Sequence, residues 1–475
     1  MTAATERGWL PDFVYLGGQF ESGVAMFADN QGRITRFSKS PDDLQKARTL
    51  PNKALLPGLV NVHSHSFQRA IRARTEHRTE ASRDTFWTWR QAMYHAANRL
   101  SPEDIYNVAR MAFLEMLSSG ITTVGEFHYL HHAPDGTPYS NRNLLAENII
   151  RAARETGIRV ALLRTAYARA GFQKSPNPGQ ARFITPRVED FIADTEALRA
   201  CIAKCSQPYR AWVGLAPHSI RALPLPYLLA VAEHARKHEL KLHMHVSEQP
   251  AEVEACQAEF GLRPIELLHE HSLLDSRFTG VHAIHITERE VEYLTQAGAH
   301  ICACGTTERN LGDGIGPAER WAASGVAVCF GSDSNIQIDL LEDARQLEYH
   351  LRLQRLERAV LAAGEGRESL AKRLFSGATQ VGAESLAAPG GNLQEGLAAD
   401  FFTVDLNDLS VAGADRNSLL SHIVFSAERT AIRDVYAAGE PLLEDAHHPL
   451  QEDIVHRFKD VQRRLWSAAG AEPRP

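Results

Sequence analysis

The chain has 475 residues, more than one ordinary core organises, which predicts one large domain with a smaller one beside it. Its 44% hydrophobic and 23% charged residues are the proportions of a soluble globular protein, and a net charge of −7 from interspersed acids and bases leaves no basic tract for nucleic acid. No apolar stretch is long enough to span a bilayer, and Met1-Thr2-Ala3-Ala4-Thr5-Glu6-Arg7 lacks the apolar core of a signal peptide. Six cysteines, at 201, 205, 256, 302, 304 and 329, contain no Cys-x-x-Cys pair, which argues against a zinc ribbon or disulfide framework and for a cytoplasmic protein.

Short β-like runs come first: Asp12–Leu16, Val24–Phe27 and Ile34–Phe37, separated by Gly, Asn and Asp. Pro57-Gly58 then turns the chain into an apolar run that ends in His63-Ser64-His65. Alternate residues of a strand face the same way, so these two imidazoles point together and can share a metal ion. A polar segment with Arg69, Arg72, Arg74, His77, Arg78 and Arg83 leads to Phe86-Trp87-Thr88-Trp89-Arg90. It reads as a long loop and helix over the mouth of a larger body.

From Ser101 a helix-then-strand rhythm sets in. Ser101-Pro102-Glu103-Asp104 is a helix start, Ile105, Val108, Ala112 and Leu117 keep a helical period, and Gly120 ends it before the strand Ile121–Phe127. Helices near 144–155, 188–204, 225–238, 262–269, 288–297 and 317–324 precede strands at 159–163, 211–216, 240–246, 279–284, 300–304 and 326–331. With the strand at His63 this makes eight strands alternating with helices, the pattern of an α/β protein with a (β/α)8 TIM-like barrel; a doubly wound open sheet is the alternative. Helical patterns fill roughly 339–387, and β-like runs return at Asp400–Asp405 and Asp434–Gly439. Residues 1–56 and 388–445 are therefore expected to form one small β-sandwich domain from both termini, 57–387 the barrel, and 446–475 a helix packed back on the body through Ile454, Phe458, Val461 and Leu465.

A barrel places its chemistry at the C-terminal ends of its strands. Here strand one ends in His63 and His65, strand two in Glu126-Phe127-His128-Tyr129, and strand four in Pro217-His218-Ser219-Ile220-Arg221. Strand five ends in His245 with Glu248 three residues on, strand six carries His282, and strand eight ends in Gly331-Ser332-Asp333. His63, His65, His245 and Asp333 offer three neutral nitrogens and a carboxylate, a set that suits one zinc or iron(II) ion with a position left for water. Such an ion brings the pKa of water down to roughly 7. Asp333 is placed to take that water's proton, Glu248 to carry a proton to a leaving group, and His282 to hydrogen-bond the reacting centre. No lysine supplies a bridge for a second metal.

Pro57–His65, His245-Val246-Ser247-Glu248, Val281-His282 and Gly331-Ser332-Asp333 resemble the amidohydrolase superfamily over nearly the whole chain. The pairing of His245 with Glu248 resembles its branch of single-metal deaminases of amidines and aminated rings. Phe86–Arg90, Glu126–His132, Ala216–Arg221 and Asn310–Gly314 together resemble the formimidoylglutamate deiminases of bacterial histidine degradation. The resemblance implies hydrolysis of N-formimidoyl-L-glutamate to N-formyl-L-glutamate and ammonia by hydroxide attack on the formimidoyl carbon. It implies a homodimer, substrate binding by Gln68, Arg90, Tyr129, His218 and Arg221, and an acid/base role for Glu248 with His282 beside it. It also implies His63, His65, His245 and Asp333 as ligands of a divalent metal, Zn2+ or Fe2+. Arg90 and Arg221 suit a substrate with two carboxylates, because guanidinium presents a planar fork of donors. One departure is the tail of strand six, Ala283-Ile284-His285-Ile286-Thr287; His282 fits the family pattern better than His285.

Two further motifs read as structural. Gly312-Asp313-Gly314-Ile315-Gly316 follows no Rossmann-like strand and reads as a loop, and His269-Glu270-His271 as a solvated helix end. Another deaminase of the superfamily, acting on an aminated heterocycle, is the first rival function. It would need an aromatic, arginine-poor pocket. A non-catalytic barrel scaffold is the second, and would show a missing ligand.

Overall fold

The computed structural model describes residues 6–78, 84–204, 210–364 and 366–467; Arg83 and Cys205 lie outside them. Eight parallel strands follow one another round a barrel: β6 (Leu59–Ser64), β7 (Ile121–His128), β8 (Arg159–Ala166), β9 (Ala211–Pro217), β10 (Leu242–Val246), β11 (Phe278–His282), β12 (His300–Ala303) and β13 (Ala327–Phe330). The expected alternation of strand and helix is present. Local chemistry explains its boundaries. Ser101 caps the helix Pro102–Leu117 by accepting from the Asp104 N–H, while Asp104 reaches back to the Ser101 N–H. The helix Leu144–Thr156 ends at Gly157 in the left-handed conformation.

The barrel closes between β6 and the segment after β13. Asp333 N–H donates to the His63 carbonyl and His65 N–H to the Asp333 carbonyl, both at 2.9 Å. Gly331 permits this approach: a Cβ there would sit 2.7 Å from the Cβ of His63 and 2.9 Å from its carbonyl oxygen. Side chains complete the seam. Asn61 donates to Ser332 Oγ at 2.7 Å and accepts from the Ser332 N–H at 3.0 Å, and Asn335 donates to the His65 carbonyl at 3.0 Å.

The termini supply a second, mixed sheet. Its strands are β1 (Arg7–Leu16), β2 (Gln19–Glu21), β3 (Ala25–Ala28), β4 (Ile34–Ser38), β5 (Arg48–Pro57), β14 (Phe401–Asp405), β15 (Ile432–Ala437) and β16 (Glu440–Leu443). They run in the order β16-β15-β14-β5-β1-β3-β4, with β2 beside β1. Trp9, Met26, Leu55, Phe401 and Tyr436 from five of these strands share one core, and the unit is one continuous mixed sheet where two stacked sheets of a β-sandwich were expected. Pro57-Gly58 is the point where the chain leaves this sheet for the barrel.

Four helices among the described residues have no counterpart in the sequence reading: Pro41–Lys46, Pro250–Phe260, Gly305–Leu311 and Leu419–Phe425. Each is short or weakly patterned, and tertiary packing decides them. The helix Gln451–Trp466 buries Ile454, Phe458, Val461 and Leu465. It returns to the barrel mouth, where Gln462 donates to the Ala70 carbonyl. Among the described residues no helix is long and apolar enough to cross a membrane.

Candidate active site

His63, His65, His245 and Asp333 meet at the C-terminal end of the barrel, each buried, with one ligand atom apiece lying within 4.8 Å of the others. His63 Nε2 is 3.2 Å from His65 Nε2 and 3.2 Å from His245 Nε2. Asp333 Oδ1 is 3.4 Å from His63 Nε2 and 3.2 Å from His65 Nε2. The backbone fixes the tautomers. His65 Nδ1 donates to the Phe127 carbonyl at 2.9 Å and His245 Nδ1 to the His218 carbonyl at 3.0 Å, so in the neutral rings both Nε2 atoms carry lone pairs. Burial pushes His63 down to about 4 and His245 well below the ordinary imidazole pKa. Burial opposes ionisation of Asp333, but the close approach of His63 and His65 holds its pKa well below the carboxylate range. The lone pairs of His65 and His245, His63 Nε2 and the Asp333 carboxylate thus converge on one point, an arrangement that a shared divalent cation satisfies. The donor set fits a metal.

His282 stands beside this cluster. It is 1% exposed, with a left-handed backbone (φ 73°) at the very end of β11. Asp333 (φ 45°), Ser247 (φ 52°) and Ala283 (φ 52°) share that conformation at neighbouring strand ends, a concentration of backbone strain typical of functional sites. His282 Nε2 faces Glu248 Oε1 and Asp333 Oδ2, each at 3.8 Å. Burial disfavours the imidazolium, yet the carboxylates of Glu248, Glu308 and Asp333 outweigh it and hold the pKa well above its ordinary value.

The expected substrate-side residues surround the same mouth. Gln68, on the 3-10 turn Ser66–Ile71, donates to Tyr129 Oη at 2.8 Å and leaves its own Oε1 buried without a partner. The Tyr129 ring lies 4.9 Å from that of His65, and the His218 ring 4.8 Å from that of His245. Arg90, from the helix Phe86–Arg99, donates to Tyr167 Oη at 2.9 Å. Arg221 Nε and Nη1 are buried without a partner. Trp87 lies between the two guanidinium groups, 5.6 Å from that of Arg90 and 5.7 Å from that of Arg221. Neither arginine has an ion pair among those found in the described residues. Burial, then the charges of Arg221 and Arg90, hold His218 well below its ordinary pKa.

Sequence reasoning missed two residues here, Glu308 and Tyr167. Both follow strand ends, of β12 and β8, that the strand-end rule covers. It gave no separate role to Asp313 within Gly312–Gly316. The segment is a loop as expected, but Asp313 is 3% exposed and accepts from Gln249 Nε2 at 2.5 Å. Burial and the nearby Glu248 push its pKa to about 9. His285 faces away, with Nε2 on the Asp313 carbonyl. His269, Glu270 and His271 are exposed, as expected. Cys302 and Cys304 are buried free thiols with their sulfurs 3.9 Å apart.

Barrel, split sheet and a strand-end cluster of three histidines and an aspartate define a hydrolase class, and the model of the amidohydrolase family matches residues 54–442: the chain belongs to that family. It is 38% identical to formimidoylglutamate deiminase from Pseudomonas aeruginosa, over 93% of this chain and 98% of that one. It is 30% identical to 8-oxoguanine deaminase from the same organism, over 79% of each. A crystal structure of an amidohydrolase from Brucella melitensis superposes with a TM-score of 0.89 at 34% identity, covering 97% of this chain and all of that one.

Proposed function

We propose that this protein hydrolyses N-formimidoyl-L-glutamate to N-formyl-L-glutamate and ammonia, as a deiminase acting on the C=N bond of a linear amidine. The observation that carries this is a pair of arginines without carboxylate partners among the described residues, the buried Arg90 and the half-buried Arg221 with its Nε and Nη1 enclosed, beside a four-ligand cluster. The substrate has two carboxylates and one amidine. Its carboxylates complete the two guanidinium groups, which favour planar bidentate partners. A bare aminated ring such as 8-oxoguanine offers no such pair of anions, and the 38% identity to a formimidoylglutamate deiminase supports the linear substrate.

In this proposal His63, His65, His245 and Asp333 hold one divalent ion, zinc or iron(II). When bound, the ion supplies Lewis acidity and brings the pKa of water to roughly 7. Asp333 Oδ2 accepts the proton of the water that adds to the formimidoyl carbon. His282 Nε2, 3.8 Å from both Asp333 and Glu248, hydrogen-bonds the oxygen that becomes the formyl group. Glu248 delivers a proton to the departing nitrogen, which leaves as ammonia. Gln68, Tyr129 and His218 orient the substrate, and Trp87 lies over the arginines and keeps water from them. The same proposal places the reaction in histidine degradation, in a cytoplasmic homodimer. Free buried thiols at 256, 302, 304 and 329 agree with a reducing compartment.

The test is product analysis with metal-loaded protein and N-formimidoyl-L-glutamate. Ammonia with an equal amount of N-formylglutamate is the expected result. Formamide with glutamate would mean that the other C–N bond is cleaved. No turnover by protein that contains metal would return the question to aminated heterocycles.

A further inference from the structure

The role proposed above for His282 requires its ring to present Nε2, and not a ring carbon, to Glu248 and Asp333. The backbone does not secure this by itself. His282 and Ala283 have left-handed φ values of 73° and 52°, and rotation about the Cβ–Cγ bond would exchange Nε2 for carbon without moving the main chain. What occupies the far side of the ring decides its direction.

That side is taken by Glu308, on the helix Gly305–Leu311 that follows β12. Glu308 Oε1 is 3.1 Å from His282 Nδ1, and the same oxygen accepts from the Cys304 N–H at 2.9 Å. Glu308 is 6% exposed, and the link is buried from end to end. An ionised carboxylate can only accept, so Nδ1 must be the donor. The ring is thereby tied through Glu308 to the backbone of the next strand. His282, Cys304 and Glu308 also have the separations of a ligand triad. Burial pushes the Cys304 thiol to about 12, however, and the Glu308 oxygen already holds two hydrogens.

We propose that Glu308 is a positioning residue for the hydrolysis: its carboxylate, anchored by the Cys304 N–H, holds His282 by Nδ1 and aims Nε2 at the reacting centre. This rests on the function proposed above, but its geometry can be tested apart from it. Buried partners that orient an active-site imidazole cost about 10–100-fold when removed.

The experiment compares E308A and E308Q, each alone and in an H282Q background, with metal content measured throughout. E308A is expected to retain metal and to lose ~10–100-fold in kcat with KM changed by no more than about twofold. E308Q keeps an oxygen that can accept both hydrogen bonds, and is expected to recover most of that loss. Neither change should lower the activity of H282Q further, because Glu308 acts only through that ring. An equal further loss in the H282Q background would overturn the proposal, as would an E308Q as damaged as E308A. A crystal structure of E308A provides the readout that needs no substrate. A His282 ring turned away from Glu248 supports the proposal whatever the substrate proves to be, and an unmoved ring overturns it. Absence of ammonia release from the wild type would sink the deiminase function alone.

Discussion

The main-chain N–H of Asp333 donates to the carbonyl of His63 at 2.9 Å, so the proposed ligand after the last barrel strand is tied to the proposed ligand on the first. Asn61 and Ser332 exchange two hydrogen bonds across the same seam. Barrel closure therefore also brings the proposed metal ligands together. Replacing Asn61 by Ala leaves the Ser332 N–H buried without its acceptor, a cost of about 1–3 kcal/mol. Denaturant unfolding should show that loss, and metal titration should show weaker binding by the same variant. Lost stability with unchanged metal affinity would separate closure from the site.

Metal removal should destabilise the fold, because an ion that binds only the native state adds to its stability. Dialysis against a chelator is expected to lower Tm and abolish turnover, with zinc or iron(II) restoring both. Asp333→Ala should fail to recover either. Elemental analysis of the purified protein would read the native metal and test the proposed single ion per chain.

Arg221 and Arg90 should each matter for substrate binding more than for folding. Arg221→Met keeps the packing against Trp87 but removes a charged donor from a buried carboxylate site. Such a loss costs about 2–5 kcal/mol, or roughly 30- to 5,000-fold in kcat/KM. Thermal melts should stay near the wild type. An unchanged kcat/KM would mean that the carboxylates are held elsewhere.

Glu248→Gln preserves shape and removes the proton. Positioned acid/base groups contribute about 10²–10⁴-fold, and a loss of that size in kcat with full metal content is expected. Substantial residual turnover would take Glu248 out of the proton pathway.

Asp343 offers a pH signature away from the metal ligands. Burial raises its pKa well above the ordinary carboxyl value, against the Thr306 N–H that donates to it at 2.8 Å. The unfolded chain releases this proton above about pH 4, while the folded chain keeps it to higher pH. The native state thus binds more protons through that interval, and this group's contribution to stability falls as pH rises. Asp343→Asn cannot ionise. Its stability relative to wild type should therefore rise between about pH 5 and about pH 8 in thermal melts. A pH-independent difference would place the Asp343 pKa near its ordinary value.

Much of this molecule is written in local sequence. Period and capping at Ser101–Asp104, repeated helix and strand patterns, and eight strand ends are enough for a barrel, because helix starts and strand alternation are short-range properties. His63 and His65 were legible as a pair because strand geometry alone makes alternate residues share a face. The strand-end rule also reached His245, Glu248, His282 and Asp333. It would have reached Tyr167 and Glu308 had it been applied to the ends of β8 and β12.

What the sequence by itself determined is the alternation, the donor types of the candidate metal site and the arginines near the mouth. Only the tertiary structure decided which lone pairs converge, through the carbonyls of Phe127 and His218 that fix the tautomers of His65 and His245. It alone showed that Asp313 is buried and pushed to about 9, and that Glu308 holds the back of His282. It alone set the register between β5 and β14, with Phe401 opposite Pro57, 344 residues away. The reason is range: a hydrogen-bond partner or a dielectric environment is set by residues distant in the chain, and no local pattern carries that information.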